Sequence, residues 1–174
     1  TPVQANEISA VLAKRLFESI DTENAKEVAE DYRKTYEKNK GMLPQEATSI
    51  NFIDRIVSHY PFHPTLIDFL NNKLAQAENF QGTRGVLRTL AMAVRSIWKS
   101  QKDIMLVHVS DLDMRNSTIV DEILGRTGSS DLKLVLTADI GSVETSSSIK
   151  GGKSIAQIED DNNPHPDNVA MYED

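Results

Sequence analysis

The clearest structural signal in this 174-residue chain is the segment Thr83-Arg-Gly-Val-Leu-Arg-Thr-Leu-Ala-Met-Ala-Val-Arg-Ser-Ile-Trp-Lys-Ser100. Its apolar residues recur at intervals of three and four, which is the spacing of one face of an α-helix. They are Val86, Leu87, Leu90, Ala91, Val94, Ile97 and Trp98. The segment is therefore predicted to form one long helix, with this broad apolar face at the centre of the core.

Toward the N-terminus, the same spacing predicts two amphipathic helices. The first covers residues 7–20, and the second begins with Thr22 as its N-cap. Tyr32 and Tyr36 lie on the apolar face of the second helix, so both are predicted to pack against the core.

Prolines mark the next boundaries. A short helix is predicted around residues 52–57, and Pro64 fits the first turn of another helix. Because a residue that precedes a proline avoids the α region, residues 60–63 are predicted to be an extended connector.

Toward the C-terminus, the apolar run 104–109 predicts a short strand. Residues 117–124 and 132–139 are predicted to be short helices, although 132–136 is equally compatible with a strand. Beyond Gly141 the sequence is rich in Ser, Gly, Asn, Asp and Pro, which predicts an irregular acidic tail. The predicted fold is mainly α, a helical bundle with one or two short strands, divided into residues 1–103, 104–141 and 142–174.

Composition and charge exclude several classes of protein. No apolar run approaches the length of a membrane span and no signal peptide is visible, so a cytoplasmic protein without a membrane partner is predicted. With no cysteine, the chain has neither disulfides nor a Cys-ligated zinc site. Of the net charge of −7, most lies in residues 139–174, which carry eight acidic and two basic side chains. Because the chain begins with Thr1 rather than Met, we expect it to be a piece of a longer polypeptide.

Motifs of independent catalysis are absent from the sequence. It contains no GxxxxGK[ST] phosphate loop, no GxGxxG, no GxSxG elbow and no HExxH zinc helix. The glycines of Gly82-Thr-Arg-Gly85 are too few to cradle phosphates. Pro61 interrupts any helix that would align His59 with His63, so a structural role and no metal site are predicted for this pair. Nothing joins the remaining histidines, at positions 108 and 165, into a site.

One charged feature stands out on the long helix. No Asp or Glu occurs between Glu78 and Asp103, so the cations of this segment have no acidic partner on their own helix. At 100° per residue they fall within about 60° of one another. These five residues form the basic stripe: Arg84, Arg88, Arg95, Lys99 and Lys102.

Arg84 is the strongest candidate in the basic stripe for binding a phosphate. It lies at the start of the helix, where exposed backbone N–H groups and the helix dipole favour an anion. A guanidinium also stays charged and grips two phosphate oxygens at once, which a lysine does not.

Four segments of the chain carry a resemblance to a known family. They are Glu7-Ile-Ser-Ala-Val-Leu-Ala-Lys-Arg-Leu-Phe-Glu-Ser-Ile-Asp, Ser58-His-Tyr-Pro-Phe-His-Pro-Thr-Leu-Ile-Asp-Phe-Leu, Asn79-Phe-Gln-Gly-Thr-Arg-Gly-Val-Leu-Arg-Thr-Leu-Ala and Ala138-Asp-Ile. Together they resemble a prokaryotic family of large AAA+-like P-loop ATPases known mainly as a domain of unknown function. The similarity extends over residues 1–141.

The resemblance implies a helical bundle like an AAA+ lid, following a nucleotide-binding P-loop core on the same polypeptide. Gly82-Thr-Arg-Gly85 would take the place of the sensor-2 motif, with Arg84 near the γ-phosphate of ATP and Arg88 as the alternative sensor or a subunit contact. ATP and Mg²⁺ are thereby implied for the intact protein, which is expected to be an ATPase. The fragment alone is expected to hold no cofactor and to have no catalytic residue. Similar genes resemble components of DNA-modification and phage-defence loci, which implies DNA or a DNA-modification complex as a partner.

Three functions are therefore compatible with the sequence. The first is a lid that couples nucleotide state to movement, in which hydrolysis removes the phosphate contact of Arg84. The second is a nucleic-acid-backbone binding module, in which Arg95, Lys99 and Lys102 add contacts and affinity falls steeply with salt. The third is an assembly domain, in which the basic stripe and the acidic tail pair between protomers of a homo-oligomer.

Overall fold

Residues 11–141 and 153–162 are described in this computed structural model, and over that part of the chain the structure is mainly helical. The predicted fold class is confirmed. The chain divides into two compact units. Of the described residues, 11–71 and 103–109 form the first unit, and 72–102, 110–141 and 153–162 form the second.

Four helices belong to the first unit. They are α1 over residues 11–16, α2 (Thr22–Lys38), α3 (Ile50–His59) and α4 (Pro64–Phe69), with a 3-10 turn at Gln45–Thr48. A π-helical turn at Leu70–Leu74 follows α4 and includes the boundary between the units at residue 71. Helix α1 ends at residue 16 rather than 20, and residues 7–10 of the predicted helix lie outside the described residues. Pro64 occupies the first turn of α4, as predicted.

The N-cap of α2 is Asp21, so the prediction of Thr22 was wrong by one residue. The Asp21 carboxylate accepts hydrogen bonds from the backbone N–H groups of Glu23 and Asn24, each at 3.0 Å. A carboxylate suits this position because it satisfies unpaired N–H groups and also carries the charge that the helix dipole favours.

Apolar side chains from three segments hold the first unit together. Val28 and Ala29 of α2, Ile56 of α3 and Leu106 of the segment 103–109 are buried at its centre. Burial of a side chain as large as Ile56 or Leu106 stabilises the fold by about 1.5–3 kcal/mol. Partly buried residues surround this centre, namely Tyr32, Tyr36, Phe52, Ile53, Val57 and Tyr60.

Residues 104–109 do not form the predicted strand. Over the described ranges, β-pairing is limited to an isolated parallel bridge between Phe62 and Val107. The Val107 N–H donates to the Pro61 carbonyl oxygen, and the Val107 carbonyl oxygen accepts from the His63 N–H, both at 2.9 Å. The ladder stops there because Pro61 has no N–H to donate and Pro64 begins α4 directly after His63.

The second unit contains the other four helices. They are α5 (Thr83–Ser100), α6 (Ser117–Arg126), α7 (Lys133–Asp139) and α8 (Ile155–Asp161), and short 3-10 turns occur at Glu78–Phe80, Val109–Asp111 and Ser130–Leu132. The predicted bounds of α5 are confirmed, and the ambiguous run 132–136 is helical.

Helix α8 lies in the predicted irregular tail, so that prediction was wrong for residues 155–161. The hydroxyl of Ser154 accepts a hydrogen bond from the Gln157 N–H at 3.2 Å, and Ala156 is buried. The local cap, the burial of Ala156 and packing against α7 together support this short helix in a polar segment. Residues 142–152 and 163–174 of the tail lie outside the described residues.

Helix α5 packs against α6, and its fully buried residues extend only as far as Ala93. The buried residues of α5 are Gly85, Val86, Thr89, Leu90 and Ala93. Trp98 is 83% exposed, so its predicted place in the core was wrong. At 100° per residue the Trp98 side chain lies roughly 140° from Ala93 but only about 60° from Arg95, which places the indole on the basic side of the helix.

No helix in the described part of the chain is both long enough and apolar enough to cross a membrane.

Candidate anion-binding face of helix α5

A sharp turn leads into α5 and sets the position of Arg84. Gln81 has a left-handed backbone with φ 64°, and Gly82 follows with φ 53° and ψ −129°. Glycine adopts such a conformation without steric cost. A Cβ atom on Gly85 would lie 2.0 Å from the carbonyl oxygen of Phe80. Both glycines of this segment are therefore required by the path of the backbone.

Arg88 forms hydrogen bonds both to α6 and to the turn that precedes α5. Its Nε donates to Glu122 Oε1 at 2.8 Å, its Nη1 donates to Gln81 Oε1 at 3.2 Å, and its Nη2 donates to the Phe80 carbonyl oxygen at 3.4 Å. The Glu122 side chain is 9% exposed, and Arg126 Nε lies 3.5 Å from the same carboxylate oxygen. A largely buried carboxylate needs cationic partners, so the guanidinium of Arg88 is committed to contacts within the second unit.

Arg84 remains exposed directly after the turn. Among the described residues, its guanidinium has neither an ion-pair partner nor a hydrogen-bond partner. Gly82 occupies the N-cap position of α5, and no side chain of the described residues caps this helix. The Arg84 backbone N–H donates to the Gln81 carbonyl oxygen at 3.2 Å, whereas the Arg84 guanidinium at this end of the helix is available to an anion.

The other members of the basic stripe divide into paired and open cations. Lys102 Nζ donates to Asp111 Oδ1 at 2.7 Å, and the Asp111 side chain is only 5% exposed. Arg95 and Lys99 are exposed, and neither has an acidic partner within the described ranges. The second unit thus neutralises Arg88 and Lys102 with its own acids and leaves Arg84, Arg95 and Lys99 open.

A histidine and tyrosine cluster in the first unit was not predicted. The rings of His63 and His108 stack with their centroids 4.4 Å apart. Tyr36 Oη lies 2.8 Å from His63 Nε2, and Tyr32 Oη lies 2.6 Å from His108 Nε2. Helical spacing placed both tyrosines on one face of α2, but it holds no signal for the distant histidines that meet them there.

His63 is the N-cap of α4 and is held as a neutral ring. The Thr65 N–H donates to His63 Nδ1 at 3.3 Å, so the ring proton belongs on Nε2, which donates to Tyr36 Oη. Burial, and after it the neighbouring His108, lowers the pKa of His63 to about 4. Burial also raises the pKa of Tyr36 to about 12. Both groups are therefore uncharged near neutral pH, as suits a structural hydrogen bond.

His59 is a buried histidine of α3. Its Nδ1 lies 2.8 Å from the carbonyl oxygen of Arg55, and burial lowers its pKa. Its Nε2 has no hydrogen-bond partner among the described residues. Over the same part of the chain, no three His, Asp or Glu side chains come together in an arrangement that suits a metal ion.

Comparison with known proteins finds one family. The family model described as DUF499 second domain matches residues 3–157, which is most of the chain and includes the four segments that carry the resemblance. No curated protein and no solved structure matches the chain.

Proposed function

The chain belongs to the family of DUF499 second domains, and from that premise we propose that it is the helical lid of a larger AAA+-like ATPase. The lid couples the state of bound ATP to movement and does not hydrolyse ATP by itself. The description of the family as a second domain supports a neighbouring domain on the same polypeptide. In this proposal the neighbouring domain contains the P-loop core and binds ATP and Mg²⁺.

The observation that carries the proposal is the open Arg84 at an uncapped helix N-terminus. A guanidinium binds two phosphate oxygens in a planar, charge-assisted arrangement. The N-terminal end of an 18-residue helix adds a partial positive charge at the same place. These groups suit the γ-phosphate of ATP, whereas Mg²⁺ needs oxygen ligands that the proposal assigns to the core.

In this proposal Arg88 positions Arg84 and does not contact ATP. Its three hydrogen bonds hold the turn at Phe80 and Gln81 against α6, one helical turn away from Arg84. Arg84 alone then distinguishes ATP from ADP. Loss of the γ-phosphate removes that differential contact, so hydrolysis favours release of the lid.

ATP hydrolysis by the intact polypeptide tests this function. Arg84→Ala is expected to lower kcat roughly 100- to 1000-fold, as the loss of one charge contact to the transition state does. Arg84→Lys should recover part of the rate, because lysine keeps the positive charge but lacks the planar guanidinium that binds two phosphate oxygens. Arg15→Ala removes an exposed arginine of α1 and is the matched control, with an expected wild-type rate. Phosphate release at saturating ATP measures all four proteins.

Two outcomes contradict the proposal. A wild-type rate for folded Arg84→Ala protein excludes the sensor role of this arginine. Hydrolysis of ATP by the 174-residue chain alone excludes a separate P-loop core as the source of activity.

A further inference from the structure

Trp98 is a large aromatic side chain that the described residues leave uncovered. It is 83% exposed and is the single tryptophan of the chain. Arg95 precedes it by three positions, and residues at that spacing are neighbours on the surface of a helix. Lys99 follows Trp98 directly and lies about 100° from it around the helix, on the far side of Arg95. The exposed indole therefore lies beside the exposed Arg95, and the exposed Lys99 lies next to Arg95 in the C-terminal half of α5.

Arg95 and Lys99 differ from the two paired cations of the basic stripe. Arg88 forms an ion pair with Glu122, and Lys102 forms one with Asp111, although neither acid lies on α5. Asp113, two residues after Asp111, accepts hydrogen bonds from the Ser96 hydroxyl at 3.4 Å and the Arg115 N–H at 3.1 Å. These three acids of the second unit therefore have other partners, and within the described residues none of them pairs with Arg95 or Lys99.

These features suit a ligand that combines negative charge with a flat ring. We propose that the C-terminal half of α5 binds single-stranded nucleic acid, with a base stacked on Trp98 and phosphates bound by Arg95 and Lys99. A duplex keeps its base faces inside the stack, and an acidic peptide supplies charge without a ring. A single strand offers both an accessible base and phosphates to these three side chains. This surface goes beyond the lid function, which depends on Arg84 at the opposite end of the helix.

The single tryptophan makes a direct test available. The 174-residue chain is titrated with oligothymidylate while its intrinsic fluorescence is recorded, and stacking of a base on Trp98 is expected to quench the signal. Binding should weaken with salt, with a log–log slope of about −0.7 for each phosphate contacted.

Variants separate the roles of charge and ring. The double change Arg95→Ala and Lys99→Ala is expected to weaken binding roughly tenfold or more and to remove most of the salt dependence. Trp98→Ala should weaken binding roughly tenfold to a hundredfold, measured by anisotropy of a labelled strand, and Trp98→Phe should recover part of it. The matched control, Lys14→Ala with Lys40→Ala, removes the same charge from exposed positions of the first unit and should bind normally.

Several outcomes overturn the proposal. They are unquenched fluorescence at low salt, equal affinity for a duplex of the same length, and equal loss of binding in the control double variant. Equal quenching by polyglutamate also overturns it, in favour of an acidic protein partner. The test needs no ATP and no P-loop core, so its result and that of the ATPase experiment are independent.

Discussion

At the residue scale, His63 is a titratable side chain that the first unit keeps neutral. It must offer a lone pair on Nδ1 to the first turn of α4, where a protonated ring would meet the positive end of the helix dipole. Its surroundings also oppose protonation. After burial, His108, Arg55 and His59 lower its pKa and Asp68 alone raises it.

We therefore expect the first unit to lose stability as the pH falls below 6.5. His63 takes up its proton near pH 6.5 in the unfolded chain and near pH 4 in the folded one. The contribution of His63 to the free energy of unfolding therefore rises with pH between these two values and is constant above them. The shift corresponds to on the order of 3 kcal/mol. Urea unfolding between pH 4 and pH 7 measures it.

The control is His63→Asn, because asparagine is a good N-cap and does not titrate. It should lack this component of the pH dependence while the contributions of all other groups remain. Identical pH profiles for the two proteins would show that His63 is not the responsible group.

At the scale of elements, the turn before α5 depends on the close approach of Gly85 to Phe80. The Phe80 side chain is fully buried, and an added Cβ would lie 2.0 Å from its carbonyl oxygen and 2.6 Å from its ring. Backbone atoms would have to move to make room. The same turn carries Gln81, which Arg88 holds, and Arg84, which the proposed function uses.

Gly85→Ala is expected to lower the stability of the second unit by about 1–3 kcal/mol, because overpacking outweighs the helix propensity of alanine. Gly125→Ala in α6 is the control, since its added Cβ meets only Ser130 Oγ at 4.0 Å. That change should be neutral or should raise stability by up to about 1 kcal/mol. Thermal unfolding followed by circular dichroism compares the two variants with the wild-type protein. Equal stability of the Gly85→Ala and Gly125→Ala variants would contradict the close approach of Gly85 to Phe80.

At the scale of the whole molecule, the first unit is completed by residues that follow α5 in the chain. Leu106 enters the core of α2 and α3. Val107 forms the bridge to Phe62, and His108 stacks on His63. The first unit is therefore a discontinuous fold, and its stability depends on the return of the segment 103–109.

Leu106→Ala is expected to lower the free energy of unfolding by about 2–5 kcal/mol, because the side chain is 2% exposed and its loss leaves a cavity. Met105→Ala shortens a neighbouring side chain that is 57% exposed, and should change stability by less than about 0.5 kcal/mol. Hydrogen exchange of α2 and α3 amides shows whether the loss falls in the first unit. Similar exchange in both variants would contradict a core role for Leu106.

The amino-acid pattern was enough to predict the helical class, the bounds of α5, the place of Pro64 and a resemblance to a domain family of unknown function. These features are local, because helix spacing, caps and proline geometry act within a few residues of one another. The periodicity of α5 also placed its five cations on one side of the helix. This periodicity does not show which apolar residues other segments will bury. Trp98 was therefore predicted to lie in the core, although it is exposed.

Which cations of α5 are paired, and which histidines are in contact, depends on contacts between segments that are distant in the sequence. Arg88 is paired because α6 brings Glu122 to it, and Lys102 is paired because the chain returns with Asp111. His63 and His108 stack because the segment 103–109 returns to the first unit. Helical spacing records which residues share a face, whereas pairing and burial depend on the distant segment that meets that face.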